Sequence, residues 1–80
     1  MGSRRLKSPS RLPLTSWREV VRALEKIGFH LARQRGSHMV LRRDGKLVVV
    51  PRHEEIDRGT LSAIILQAGL TREEFLKLLS

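Results

Sequence analysis

The sequence predicts an α+β fold: a two-layer α-β-β-β-α sandwich whose three-stranded antiparallel sheet carries the helices on one face, followed by a short C-terminal helix. Three observations predict it. Apolar stripes at helical spacing lie before and after a central region. That region alternates with period two and is rich in β-branched residues. Its segments are separated by glycine turns so short that only hairpins can join them.

The first helix is read from "LTSWREVVRALEKIGF". Ser16 suits an N-cap, and Glu19, three residues on, completes a capping box. Trp17, Val20, Val21, Leu24 and Ile27 fall on one stripe, and Gly28 is placed to end the helix at C′. "FHLARQ" is the first strand; strict alternation puts Phe29, Leu31 and Arg33 on one side and His30, Ala32 and Gln34 on the other. Arg35-Gly36-Ser37 forms a turn into "HMVLRR", where Met39 and Leu41 suit the covered face while His38, Val40 and Arg42 point away. Asp44-Gly45 is a hairpin signal, and "KLVVVP" follows as the third strand, with Pro51 closing it or lying at an edge. "RHEEIDRGT" is a loop, and its Asp57 suits the N-cap of the second helix. "LSAIILQAG" is that helix, with Leu61, Ile64, Ile65 and Ala68 on its apolar side and Gly69 as its stop. Thr71 and Glu74 repeat the capping-box spacing before a last helix buried through Phe75, Leu78 and Leu79. A sheet with helices on one face leaves its other face open to water. Residues 1–12 mix Ser, Pro, Arg and Lys without apolar period and are expected to be a flexible basic tail, with the folded domain over residues 13–80.

The 80 residues carry a net charge of +8, unevenly spread. Residues 1–43 hold 11 Lys/Arg and 2 Asp/Glu (+9), and residues 44–80 hold 5 and 6 (−1). A one-sided positive field attracts polyanions, so nucleic acid is the expected partner class. A membrane-surface helix fits less well, because the helices carry both charge signs. With no cysteine, neither disulfides nor thiolate metal sites are available, which fits a cytoplasmic protein. No apolar run approaches the roughly 18–20 residues of a membrane span. The basic N-terminus has no apolar segment behind it and is not read as a secretory signal. Three scattered histidines lack metal-ligand spacing, and no cofactor motif is present. The aromatic residues Trp17, Phe29 and Phe75 all fit the core, which argues against base recognition on an aromatic sheet.

His38 is the residue of chemical interest. Gly36-Ser37-His38-Met39 duplicates a familiar cloning scar, but it is internal and follows a well-formed helix pattern, so it is read as native. Alternation sets His38 at a strand start on the open face or its rim; Arg33, Arg35, Arg42 and Arg43 are close in sequence, and alternation directs Arg33 to the covered side. An imidazole with an ordinary pKa of about 6.5 suits general acid or base work on a ribose 2′-hydroxyl, and arginines suit the phosphate. From residue types alone, a lone histidine at a strand start is more often a surface or turn residue. His30 and His53 carry less, and the adjacent Glu54 and Glu55 diverge on any regular element.

The ordered pieces "KIGF", "RQRGSHMVLRR", "VVVPRH" and "GTLSAIILQAGLTREEFLKLL" resemble the HicA family of bacterial type II toxins over roughly residues 14–79. The resemblance implies a double-stranded-RNA-binding-domain-like fold and metal-independent mRNA cleavage by an endoribonuclease. It places the essential histidine of the Gly-Ser-His motif at His38, and implies a HicB-type antitoxin that covers it. Arg35, Ser37, Arg42 and Arg43, with Arg52 and His53, are then the candidate RNA contacts. Met39 stands where many relatives carry a second histidine or an aromatic residue. Two other readings remain: a non-catalytic RNA- or DNA-binding module, and a protein-interaction domain with an acidic partner.

Overall fold

The computed structural model describes residues 12–79. Its elements run α1 (Trp17–Glu25), β1 (His30–Arg35), β2 (His38–Arg43), β3 (Lys46–Pro51), α2 (Arg58–Gln67) and α3 (Arg72–Leu79). The expected α+β architecture is present, with a sheet of order β1-β2-β3 in which both pairings are antiparallel.

Local chemistry sets the helix ends. Ser16 accepts from the Glu19 N–H, and Glu19 Oε1 accepts from the Ser16 N–H at 2.8 Å, so α1 starts with the capping box. The chain leaves α1 through Gly28, at φ 99°. Gly28 N–H donates to Glu25 O and Phe29 N–H to Leu24 O, both at 3.1 Å, which is the Schellman arrangement. Asp57 caps α2 by accepting from the Thr60 N–H at 3.0 Å and the Thr60 hydroxyl at 2.7 Å. The cap carries α2 three residues further back than the apolar stripe alone implied, through Arg58, Gly59 and Thr60. Thr71 and Glu74 exchange the reciprocal pair that opens α3.

The core lies between sheet and helices. Met39, Leu41, Val48 and Val50 point into it from the sheet, Val20, Ala23 and Leu24 from α1, and Leu61, Ile64 and Ile65 from α2, with Ala68 at its C-cap. Phe75 of α3 is fully buried. The segment before α1 is part of the same body: Thr15 bridges Ile56, the Trp17 N–H donates to His53 O, and Arg58 Nε donates to Leu12 O at 2.6 Å. Leu12 is therefore buried and belongs to the fold, whereas the tail reading had placed the boundary after it. The rest of that expected tail, residues 1–11, lies outside the described residues. No described helix is long and apolar enough to cross a membrane.

Because α1 and α2 both pack over β3, β1 projects past the helix layer, and all six of its residues are exposed. Leu31, expected under the helices, is 46% exposed. The open face of the sheet thus continues into an uncovered edge strand.

Candidate nucleic-acid interface

β1 and β2 are joined by the two residues Gly36-Ser37, with Arg35 and His38 as directly opposed partners. Gly36 has φ 56° while Ser37 does not enter positive φ. This is the pattern of a type II′ hairpin turn, whose first central position calls for glycine. The turn sets His38 as the first residue of β2. Its other cross-strand partner is Pro51. The Arg52 N–H donates to the Ser37 carbonyl at 2.7 Å and fastens the turn to the end of β3.

Strict alternation fails in β1. Leu31 pairs with Leu41, but Arg33, not Ala32, pairs with Val40, so Ala32 is the extra residue of a β-bulge. The bulge reverses the expectation for Arg33, which alternation had put on the covered side with Leu31. Beyond it, Arg33 and Arg35 share a face with their partners Val40 and His38, and Arg42 follows two residues along β2. The open face therefore gathers Arg33, Arg35, Arg42 and the exposed His38, with His30 opposite Arg42.

No strand position holds an acidic residue. Among the described residues, none pairs with Arg33, Arg35, Arg42 or His38. Beside the arginines the same face is apolar on β3: Leu47, opposite Arg42, is 48% exposed and Val49, opposite Val40, is 38% exposed. A shallow depression of about 470 Å³ is lined by Ala32, Arg33, Val40, Arg42 and Leu47.

The other sequence candidates stand apart from this group. Arg43, one residue past Arg42, points to the opposite face. Its Cδ and Nε lie 3.6 Å from where a Gly28 Cβ would stand, and its Nε is 3.9 Å from an Asp44 carboxylate oxygen. Arg52 stacks on the Trp17 ring at 4.7 Å, with Arg18 at the same distance. Arg18 also pairs with Glu54 at 2.9 Å. Trp17 is thus half-buried beneath two guanidiniums rather than wholly in the core. Ser37 and His53 hold the rim through backbone carbonyls that accept from Arg52 and Trp17. Met39 faces the core at 6% exposure, away from His38, so its side chain cannot reach a ligand on the open face. Among the described residues no three His, Asp or Glu side chains converge as a metal-binding set.

A family model described as the HicA toxin of bacterial toxin-antitoxin matches residues 17–70. The chain belongs to the HicA toxin family. The match spans α1 to the end of α2, which includes the whole sheet and the Gly36-Ser37-His38 turn. A solved chain from a toxin-antitoxin complex of Streptococcus pneumoniae has the same fold, with a TM-score of 0.64 and 30% identity. That similarity covers 72% of this HicA-family chain and 100% of the pneumococcal one. No curated protein matches. α3 lies beyond the span of the family match, yet its Phe75 completes the core.

Proposed function

We propose that this chain is the toxin of a type II toxin–antitoxin system, an endoribonuclease that cleaves mRNA with His38 as general acid or base and without a metal. The observation that carries this reading is the setting of His38: exposed, directly opposite Arg35, on a sheet face that holds arginines and no acid. In the base role, the neutral imidazole takes the 2′-hydroxyl proton as that oxygen attacks the adjacent phosphorus. The P–O5′ bond breaks, the 5′-oxygen leaves with a proton from solvent, and a 2′,3′-cyclic phosphate remains. Arg35, with Arg33 and Arg42 nearby, meets the phosphate oxygens as negative charge builds in the transition state. The same face is where a HicB-type antitoxin would bind, and its occupation would hide His38. The neighbouring fold from a toxin-antitoxin complex supports such a partner.

The test is His38→Ala. A positioned acid or base contributes about 10²–10⁴-fold. The variant should lose cleavage and growth arrest by that order while its thermal stability and antitoxin binding stay near wild type, since His38 is exposed and bonds to no described side chain. RNA that is 2′-O-methylated, and DNA, should be bound but not cut. Undiminished cleavage by His38→Ala overturns the assignment.

One observation favours a second reading, a binding module without chemistry. The cross-strand neighbours of His38 are Arg35 and Pro51, neither of which is a second proton-transfer group. Salt-sensitive RNA affinity with no cyclic-phosphate product on long incubation would select it.

A further inference from the structure

Resting on the RNA-binding reading above, we infer that the depression made by the Ala32 bulge is a subsite for one unpaired nucleobase of single-stranded RNA, floored by Val40 and Leu47 and flanked by the guanidiniums of Arg33 and Arg42.

The argument starts from what the surface exposes. A duplex offers a protein phosphates and 2′-hydroxyls, and gains nothing from leucine and valine side chains. Leu47 and Val49 are nevertheless large apolar residues left open on this cationic face, on β3 beside Arg42 and Val40. An unpaired base is the part of a nucleic acid that an apolar floor rewards. Its phosphate, one bond system away, is the part that unpaired arginines reward. The face carries no acid to repel that phosphate.

No aromatic side chain serves this surface. Phe29 and Phe75 are buried in the core, and Trp17 lies at the start of α1 beneath Arg18 and Arg52. Stacking then falls to the arginines, whose planar guanidinium lies against a base as readily as it grips a phosphate. The bulge is what brings Arg33 to this position, since strict alternation would have turned it to the other face. Along β2, Val40 is about 7 Å and Arg42 about 14 Å from His38 at the usual rise per residue. The subsite is therefore within a few nucleotides of the bond His38 would act on, and the base it holds sets which bond is presented.

The experiment measures binding without cutting. Fluorescein-labelled 2′-O-methyl oligonucleotides of about eight nucleotides, with a single abasic residue walked through each position, are titrated with the full chain. One position should cost about tenfold in affinity and the others little. Arg33→Gln and Leu47→Ser should each abolish that position's sensitivity, and Leu47→Ser should do so without changing the salt dependence. Both residues are exposed, so circular dichroism and melting of the variants should match wild type. A flat abasic scan overturns the inference. So does tighter binding to duplex than to single strand, or an Arg33→Gln effect that is uniform across positions and only lowers the salt slope. If the two variants lose a protein antitoxin but keep RNA, the face is a protein-docking surface and the subsite is wrong. Parallel incubation with ordinary RNA separates the two readings. Position-sensitive binding without cleavage keeps the subsite and removes the nuclease, and cleavage with a flat scan does the reverse.

Discussion

Gly36→Ala separates the geometry of the His38 turn from the stability of the domain. A Cβ at Gly36 would meet nothing within 4 Å, so the substitution creates no clash and its cost is confined to the backbone. Gly36 has φ 56°, and with Ser37 outside positive φ this is the first central position of a II′ turn. A side-chain-bearing residue held there costs about 1–3 kcal/mol. Stiffening of the unfolded chain returns about 0.4–1 kcal/mol. The net loss is about 0–2.5 kcal/mol, a drop in melting temperature of roughly 4–8 °C for each kcal/mol in a domain of this size. A domain of 80 residues has about 4–12 kcal/mol in total. Even the worst pairing leaves about 1.5 kcal/mol, which keeps more than roughly nine molecules in ten folded. A fall in RNA cleavage well beyond a tenth then reports a displaced His38, not unfolding. The double variant Gly36→Asn/Ser37→Gly installs Asn-Gly, the preferred pair for a two-residue I′ turn. It should restore the melting temperature while keeping Arg35 opposite His38. Thermal melts by circular dichroism beside single-turnover cleavage decide the matter. If Gly36→Ala is more stable than wild type, or if Asn-Gly is less stable than Gly36→Ala, the turn assignment is wrong.

Two further outcomes concern the core and the caps. Phe75→Ala should destabilise by about 3–5 kcal/mol, because the ring is fully buried although α3 lies beyond the family match; a melting temperature within a few degrees of wild type would show that α3 is dispensable. The Asp57 carboxyl sits below its ordinary value, first through the Thr60 hydroxyl and then through the Thr60 N–H. A depressed acid contributes stability that is present above its unfolded value of about 3.9 and lost as pH falls through its lower folded value. Melting temperature should therefore fall across that acid range in the wild type, and Asp57→Asn should flatten this part of the profile; an unchanged profile would refute the cap's role.

Alternation was sufficient to read β2. Met39 and Leu41 are buried, and His38, Val40 and Arg42 face away, as a period of two requires. β1 resisted because a bulge adds a residue without a distinctive residue type to mark it. The clue was a local conflict: strict alternation put Arg33 under the helices beside Leu31, where an unpaired guanidinium is costly. Charge clustering along the chain also misled. Arg42 and Arg43 are sequence neighbours, and for that reason they point to opposite faces; only Arg42 joins His38. Arg52 follows Pro51 closely but turns to the Trp17 ring, a long-range pairing that no local pattern encodes.

The two faces of the sheet obey different rules. The helix side is satisfied internally where the helices cover it: apart from Leu31 on the projecting β1, the sheet's apolar residues there are buried, and the helices start at side-chain caps. The open side is not. Arg33, Arg35 and Arg42 share a surface with no acidic neighbour among the strands, and like charges set side by side repel. A polyanion on this face gains its own attraction and also relieves that repulsion. Salt screens both terms, so the domain should bind RNA most tightly where its free form is most strained by its own charge. A protein inhibitor of the same face must meet the same condition: to cover His38 it has to bring carboxylates to the arginines and apolar groups to Leu47 and Val49. Whatever occupies the surface answers to both features, and an occupant that supplies only charge leaves the apolar floor beside the arginines unused.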